Sequence, residues 1–284
     1  MATREASGKT GPNLEVLVAT MGQKNLSIAE RMHLTKSAII ANQCERWDYE
    51  EEQSDFGRIA MISTKTKGVG INRNLALQLS TADFLLFADD DIVYYDGALD
   101  GVENAFRELP DADVIFFGID MTKEGKVFDA RRNKVKRVRP WNSLRYGACR
   151  MAVRRNAIIE NRISFSTLFG GGCIYCSGED TIFICDCLKA GLKLYSHSCV
   201  LGACAKDSST WFSGFNDKYF YDRGAMLACA FPHLKHFIKW YFVYKLMRKA
   251  NVSPWRIVRE MNAGICGFRT LTPYHKEGDI HIEE

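Results

Sequence analysis

The stretch Phe84-Leu85-Leu86-Phe87-Ala88-Asp89-Asp90-Asp91 runs an apolar segment straight into three consecutive carboxylates. Four apolar residues in a row read as a strand buried on both faces. Buried strands of a parallel sheet deliver functional groups at their C-terminal ends. Adjacent carboxylates repel one another, and a cation relieves the repulsion. Oxygen-only ligands suit hard ions such as Mg2+ or Mn2+, which keep positions open for substrate phosphates when few protein carboxylates hold them. One Asp after a strand is accounted for as a turn or helix cap. Three in sequence point instead to an enzyme that handles a diphosphate.

Working outward, Leu14–Thr20, Ala38–Gln43 and Ile59–Ser63 read as further short strands. Gly68 and Gly70 open a helix over about Ile71–Leu79, with Leu75 and Leu79 at i, i+4 spacing as its apolar contacts. Asp96 is placed to cap a helix that Pro110 ends. Val114–Gly118 and Tyr146–Val153 read as strands, and Lys123–Trp141 as a charged, turn-rich excursion. A helix over Gly178–Ala190 stops at Gly191, a strand follows at Leu192–Ser196, and the chain beyond about Phe215 is helical. This alternation predicts an α/β fold with a central, mostly parallel sheet and a helical C-terminal extension. The expected division is a polar tail at 1–13, a catalytic domain at 14–224 and a basic extension at 225–284.

Two further constellations share the chemistry of the Asp triplet. Gly170-Gly171-Gly172 permits unusual backbone angles and close ligand approach. It precedes Gly178-Glu179-Asp180, which puts two carboxylates in the first turn of a helix. Acidic residues there can simply complement the helix dipole. Beside the upstream Asp triplet, a general base is the better reading. Lys67-Gly68-Val69-Gly70-Ile71-Asn72-Arg73-Asn74 offers glycines before a helix, a setting suited to phosphate. It lacks the Lys-Ser/Thr pair of a P-loop.

The whole chain sets bounds on these readings. Its 284 residues are 46% hydrophobic, enough for a sizeable core and against global disorder. The formal charge is +4, yet seven Lys/Arg and no Asp/Glu lie between Phe231 and Arg259, and removing those seven leaves the remainder at −3. The ten cysteines are dispersed through apolar stretches, and Met1–Asn13 has no apolar core of a signal peptide. Both features suggest a reducing cytoplasm. Cys173-x-x-Cys176 and Cys185-x-Cys187 are poor zinc signatures because the intervening residues are apolar and the second spacing is unsuitable. No run approaches the ~20 apolar residues of a membrane span.

The first strand, the Gly68–Asn74 segment, the strand ending in Asp89-Asp90-Asp91 and the Glu179-Asp180 pair about ninety residues later occur in an order that resembles the family 2 glycosyltransferases. The likeness covers roughly Leu14–Gly224 and is greatest to bacterial enzymes that build capsular, exopolysaccharide or O-antigen repeat units. Their pattern includes segments like Ser208-Ser209-Thr210-Trp211 and Asn216-Asp217-Lys218-Tyr219-Phe220. The resemblance implies a GT-A (Rossmann-like) nucleotide-sugar-binding domain. It implies that Thr20 and Gly22 border the nucleoside, that Arg73 and Asn74 lie near the nucleotide, and that Asp89 and Asp90 face the nucleoside or metal. Asp91, with Asp89, would hold Mn2+ or Mg2+. Asp180 would be the catalytic base with Glu179 beside it, and Gly171, Gly172 and Trp211 would line the acceptor side. The implied partners are a nucleotide-sugar donor, with UDP favoured, and a saccharide acceptor, lipid-linked in such pathways. Thr20-Met21-Gly22-Gln23 departs from the pattern in lacking the Pro and Tyr/Asn common after the first strand. His197 and Cys204 fall where some relatives carry a late polar or metal-binding residue, although a histidine in a strand is more often satisfied structurally.

Two basic segments admit competing readings. Leu234, Phe237, Ile238, Tyr241 and Phe242 form an apolar helix face accompanied by Lys235, Lys239, Lys245, Arg248 and Lys249. Such a helix either lies on an anionic membrane at the inner face of the plasma membrane or packs on its own domain with a solvated basic face. Arg131–Arg139 holds six basic residues in nine, but no nucleic-acid motif accompanies it, so a solvated hairpin or a surface near acceptor phosphate is preferred to nucleic-acid binding. A nucleotidyltransferase would need an extended Gly/Arg/Lys signature that Leu14–Asn25 lacks. A basic membrane- or nucleic-acid-binding module without catalysis would leave the carboxylate clusters unexplained.

Overall fold

The computed structural model describes residues 13–123, 126–128, 134–204 and 214–274. Among them, eleven strands form one sheet. The strands are β1 (Leu14–Met21), β2 (Ser37–Gln43), β3 (Asp48–Ser54), β4 (Gly57–Thr64), β5 (Phe84–Asp89), β6 (Ile92–Tyr94), β7 (Val114–Lys123), β8 (Lys126–Phe128), β9 (Lys136–Arg137), β10 (Met151–Arg154) and β11 (Leu194–Cys204). The order across the sheet is β3-β4-β2-β1-β5-β10-β7-β11-β6, with β8 on β7 and β9 on β11. β4, β2, β1 and β5 run parallel, as do β7 and β11, while β10 sits antiparallel between β5 and β7. The helices are α1 (Ile28–Arg31), α2 (Val69–Leu79), α3 (Ala98–Glu108), α4 (Arg155–Glu160), α5 (Glu179–Lys189), α6 (Asp217–Ala230), α7 (Lys235–Ala250) and α8 (Pro254–Gly267). The expected mixed α/β architecture with a mostly parallel centre is what the chain adopts.

The sheet has a core on each face. On one, Val16, Val18, Ile40 and Leu86 pack with Leu99, Val102 and Phe106 of α3. On the other, Leu17, Ile39, Leu85 and Phe87 pack with Ala76 and Leu77 of α2 and Phe183 and Ile184 of α5. Alternate residues of β1 and β5 therefore feed both cores, which is why these strands read as continuous apolar runs. A third core joins α5 to the C-terminal helices through Ile182, Phe220, Met226, Phe242 and Met261. α6 crosses α8 so closely that a Cβ on Gly224 or Gly264 would overlap the backbone of Met261 or Tyr221. Residues 224 and 225 lie inside α6, within that packed layer.

Several local expectations are corrected. The buried residues of α2 are Gly70, Asn72, Arg73, Ala76 and Leu77, whereas Leu75 is half-buried and Leu79 exposed. The helix turns polar side chains inward because partners lie beneath it: carboxylates for Arg73, and the Thr20 and Ala41 carbonyls for Asn72. Asp96 does not cap α3; the cap is Gly97, in a left-handed conformation with φ 71°, and no side chain caps the helix. The strand expected over Tyr146–Val153 is reduced to β10, preceded by a 3-10 turn at Ala148–Arg150, because the Ala148 N–H donates to Asp180 rather than to a neighbouring strand. β3 has no buried position, so no apolar alternation announced it, and it forms an antiparallel edge on β4.

The apolar face expected on α7 splits in two. Phe242 is buried and Ile238 half-buried, continuing inward with Val243 and Leu246. Leu234, Phe237 and Tyr241 point outward with Trp240 and Tyr244, and Phe237 is 80% exposed. Lys239, grouped with the surface cations in the sequence, is instead buried and donates to Asn262 Oδ1 at 2.7 Å. No described helix is long and apolar enough to cross a membrane.

Candidate active site

β5 ends at Asp89, and Asp90 and Asp91 form a tight turn into β6. The extended geometry does not persist through the triplet, so simple strand alternation does not set where the three side chains point. Asp90 Oδ2 accepts from Thr20 Oγ1 at 2.7 Å, and Gln23 Nε2 donates to the same hydroxyl at 2.9 Å. The end of β1 is thereby tied to the end of the adjacent β5. Gln23 is fixed in turn by a reciprocal backbone pair with the buried Asn42 side chain, at 2.9 Å in each direction. Gly22 makes the intervening turn, with φ 70°.

Arg73 is the hub. Its guanidinium projects from the buried side of α2 and is only 5% exposed. Nη2 donates to Asp89 Oδ1 at 2.9 Å, and Nη1 donates to Asp180 Oδ1 at 2.9 Å and to Glu179 Oε1 at 3.2 Å. The ring of Phe165 covers the guanidinium with its centroid 5.2 Å away. Burial works against the Arg73 charge, but Asp89, Asp180 and Glu179 more than offset it and hold the group above its ordinary value. Carboxylates separated by about ninety residues thus converge from two elements, β5 and α5, on one cation of α2.

Their environments differ. Glu179 is 14% exposed, and burial, then the neighbouring Asp180 charge, push its carboxyl up to about 7 against the pull of Arg73. Its second oxygen accepts from the Gly178 N–H at 3.1 Å. Asp180 is twice as open at 29% and accepts from Ala148 N–H at 3.0 Å through Oδ2. Asp89 is the most accessible at 39%. Cys149 lies in the same cluster, where burial and the charges of Asp89 and Asp180 keep its thiol neutral.

The glycine loop supports this arrangement from below. Gly170 has φ 108°, and a Cβ there would stand 2.5 Å from Val69 Cγ1 and 3.0 Å from the Glu179 carboxyl carbon. Gly171 is buried and its carbonyl accepts from Val69 N–H at 3.0 Å, fixing the start of α2 against the loop. Gly172 is exposed and packs on the Gly68 backbone. Asn74 spends both ends of its amide on the Phe165 backbone, at 2.8 Å each, and so holds the cover over Arg73. Trp211 lies outside the described residues, as do Ser208–Thr210 and the start of the basic run, Arg131–Asn133.

The structure thus brings together Thr20, Arg73, Asp89, Asp90, Glu179 and Asp180. His197 stands apart: it pairs with Glu108 of α3 at 3.1 Å and accepts the Cys199 N–H. Three contributors went unread in the sequence. Asn42 is one, and Asn72 is another, its amide donating to Thr20 and Ala41 carbonyls at 3.1 and 2.8 Å. The Ala148 N–H is the third. Buried amides such as these carry no periodic signature; only their placement amid apolar neighbours flags them.

Asp89 and Asp91 offer the hard oxygen donors that Mg2+ or Mn2+ prefers; both are half-buried, and Asp89 lies in the Arg73 cluster. No group of three or more His, Cys, Asp or Glu able to hold a metal ion occurs among the described residues. Such a donor set fits an ion completed by ligand phosphates rather than one caged by protein.

A sequence model of Glycosyl transferase family 2 matches residues 26–164. Among curated proteins, none matches the sequence. Solved structures of S. aureus TarS share the fold. TarS 1-349 in complex with UDP-GlcNAc aligns with a TM-score of 0.55 and 12% identity, over 95% of this chain and 76% of that one. TarS 1-349 in complex with UDP gives a TM-score of 0.56 and 14% identity, over 93% of each chain.

Proposed function

We propose that this chain is a family 2 glycosyltransferase, as the match of that family's model to residues 26–164 supports, and that it transfers a sugar from a UDP-sugar to an acceptor saccharide hydroxyl with inversion of configuration. The observation that carries this reading is the convergence of Asp89, Glu179 and Asp180 on buried Arg73. It sets the carboxylates at the end of β5 beside those at the start of α5, as a donor site and an acceptor base must be set. The TarS structures in complex with UDP-GlcNAc and UDP support a uridine nucleotide as the donor carrier.

Asp180 is the base. One oxygen is anchored by Arg73 and the other by the Ala148 N–H, so the carboxylate is held in one orientation. It removes the proton of the acceptor hydroxyl as that oxygen attacks the anomeric carbon opposite the diphosphate. A single displacement needs no carboxylate nucleophile, unlike a retaining glycosidase. Arg73 fixes the base and Asp89 in register. Thr20 and Gly22 border the nucleoside, with Asp90 held by Thr20. Asp89 and Asp91 would hold Mn2+ or Mg2+, which when bound neutralises charge on the departing diphosphate. The acceptor side is the Gly171–Gly172 loop together with Trp211.

The exposed face of α7 supports peripheral attachment to an anionic membrane, where a lipid-linked acceptor of surface polysaccharide synthesis would reside. Phe237, Trp240, Tyr241 and Tyr244 supply aromatic surface, and Lys245, Arg248 and Lys249 supply the charge.

Thermal unfolding with UDP, GDP, CMP and dTDP, each with and without Mn2+, tests the donor assignment. A rise with UDP that Mn2+ enlarges is expected, because a ligand bound only to the folded state raises its stability. The Mn2+ increment should vanish in Asp91→Ala. A rise confined to another nucleotide overturns the UDP assignment, and no rise with any of them overturns the donor site.

A further inference from the structure

A cavity of about 170 Å³ opens between α5, α6 and α7. From α7 it is lined by Phe242, Lys245, Leu246 and Lys249, which stand at i, i+3, i+4 and i+7 and so form one stripe of the helix. From α6 come Tyr219 and Arg223, and no Asp or Glu is among the lining residues. Arg223 lies over the Tyr219 ring, 5.1 Å from its centroid, and its Nε is buried without a hydrogen-bond partner. Among the described residues, none of the three cations forms an ion pair. The rim of the cavity is also the border of the outer face of α7. Lys245 Nζ lies 5.9 Å from the centroid of the Tyr241 ring, one turn back along the helix. Tyr241 is exposed, and so are Phe237, Trp240 and Tyr244 on the same face.

Three positive charges around a small concavity without a carboxylate repel one another, and a buried guanidinium N–H without a partner costs stability. A bound anion offsets both. The exposed rings beside the cavity are a separate liability, because they hold apolar surface in water. A free anion would leave that surface wet. A ligand that joins an anionic group to an apolar body covers both features, and an anionic phospholipid is such a molecule. Arg offers a planar fork and Lys a compact charge for the phosphate oxygens. Tyr and Trp rings suit the level of the headgroups, where one end is apolar and the other wet. We infer that the cavity binds the phosphodiester headgroup of one anionic phospholipid, whose acyl chains leave past Tyr241 into the membrane under the outer face of α7. Such a site distinguishes a seated headgroup from charge spread over a surface. The lipid assignment rests on the membrane attachment proposed above; the anion site itself does not.

Calorimetric titration with dihexanoyl phosphatidylglycerol, kept below its micelle concentration, reads the site apart from any membrane. Lys245→Gln/Lys249→Gln alters two exposed side chains and leaves the packing intact, while Arg223→Gln removes the buried fork. Each variant is expected to bind the short-chain lipid at least about tenfold more weakly than wild type, as loss of a charge-assisted hydrogen bond implies. Lys235→Gln/Arg248→Gln removes the same charge from α7 outside the cavity and should leave that affinity unchanged. Equal affinity in wild type, Arg223→Gln and Lys245→Gln/Lys249→Gln overturns the site. An equal loss in Lys235→Gln/Arg248→Gln shows that charge alone is counted and overturns it as well. Inorganic phosphate binding as tightly as the short-chain lipid marks a free-phosphate site and overturns the lipid assignment. Cosedimentation with phosphatidylglycerol vesicles separates the two readings. If the short-chain lipid binds through these residues but wild type leaves the vesicles unbound, membrane attachment and the lipid assignment fail while the anion site stands.

Discussion

Arg73 and Arg223 both pack near the first turn of α5, and their company differs. Arg73 meets three carboxylates and is covered by Phe165. Arg223 meets a tyrosine ring, two lysines across a cavity and, among the described residues, no carboxylate. The first cation is compensated within the protein, so it belongs to the architecture that holds the reacting groups in register. The second has no such compensation among the described residues. The contrast teaches that a buried charge is read by its partners, not by its burial alone.

The contrast breaks most visibly if Arg73 is removed. Arg73→Met should strand three carboxylates and cost about 3 kcal/mol, the low end for a broken buried pair because Asp89 opens to solvent. Urea denaturation reads the loss, and turnover should fall with it. Wild-type stability in this variant would show that the hub is not structural. Asp180→Asn keeps the shape of the cluster and should lower turnover by about 10²–10⁴-fold while UDP affinity holds. Full turnover there removes Asp180 as base.

Glu179 sharpens the comparison through pH. Its folded-state value, about 7, lies above its ordinary 4.5, so the native state binds more protons than the unfolded chain between those values. Its contribution to stability is therefore fully present below about 4.5 and is lost as pH rises through about 7. Over the same upper range the rate should climb, because ionised Glu179 competes for Arg73 and leaves Asp180 more of its charge for the acceptor proton. Glu179→Gln should flatten both trends, and a rate limb near pH 7 that survives the substitution assigns it to another group. The smallest effect on stability is expected at the outer face of α7. Phe237→Ser/Tyr241→Ser should change stability by no more than about 0.5 kcal/mol, yet weaken binding to phosphatidylglycerol vesicles about tenfold. Unchanged vesicle binding would return that face to the solvent.

The parallel strands were legible because both of their faces are buried: Val16 to Val18 and Leu85 to Phe87 leave no polar gap. β3 was not, since a strand with no buried position carries no alternation. α2 was found but turned the wrong way. Its Leu75 and Leu79 satisfy helical spacing, whereas its inward face follows Asn72 and Arg73, whose partners are distant in sequence. The same limit applies to the site. Asp89 and Asp180 stand out by their settings at a strand end and a helix start. That Arg73 would join them is a property of how β5 and α5 pack, and no spacing rule encodes it. The α7 stripe was visible as periodicity, but periodicity alone does not say which half turns inward.

β3 ends the sheet, and its outward backbone N–H and C=O groups have no neighbouring strand among the described residues. A second molecule approaching there would have to lay its own chain alongside Asp48, Glu50, Glu51 and Glu52. If it presented the same edge, glutamate would face glutamate across the new ladder, and like charges opposed in a sheet are destabilising. The acidic border therefore works against open-ended stacking of one molecule on the next, a safeguard that a sheet of this width requires wherever it stops.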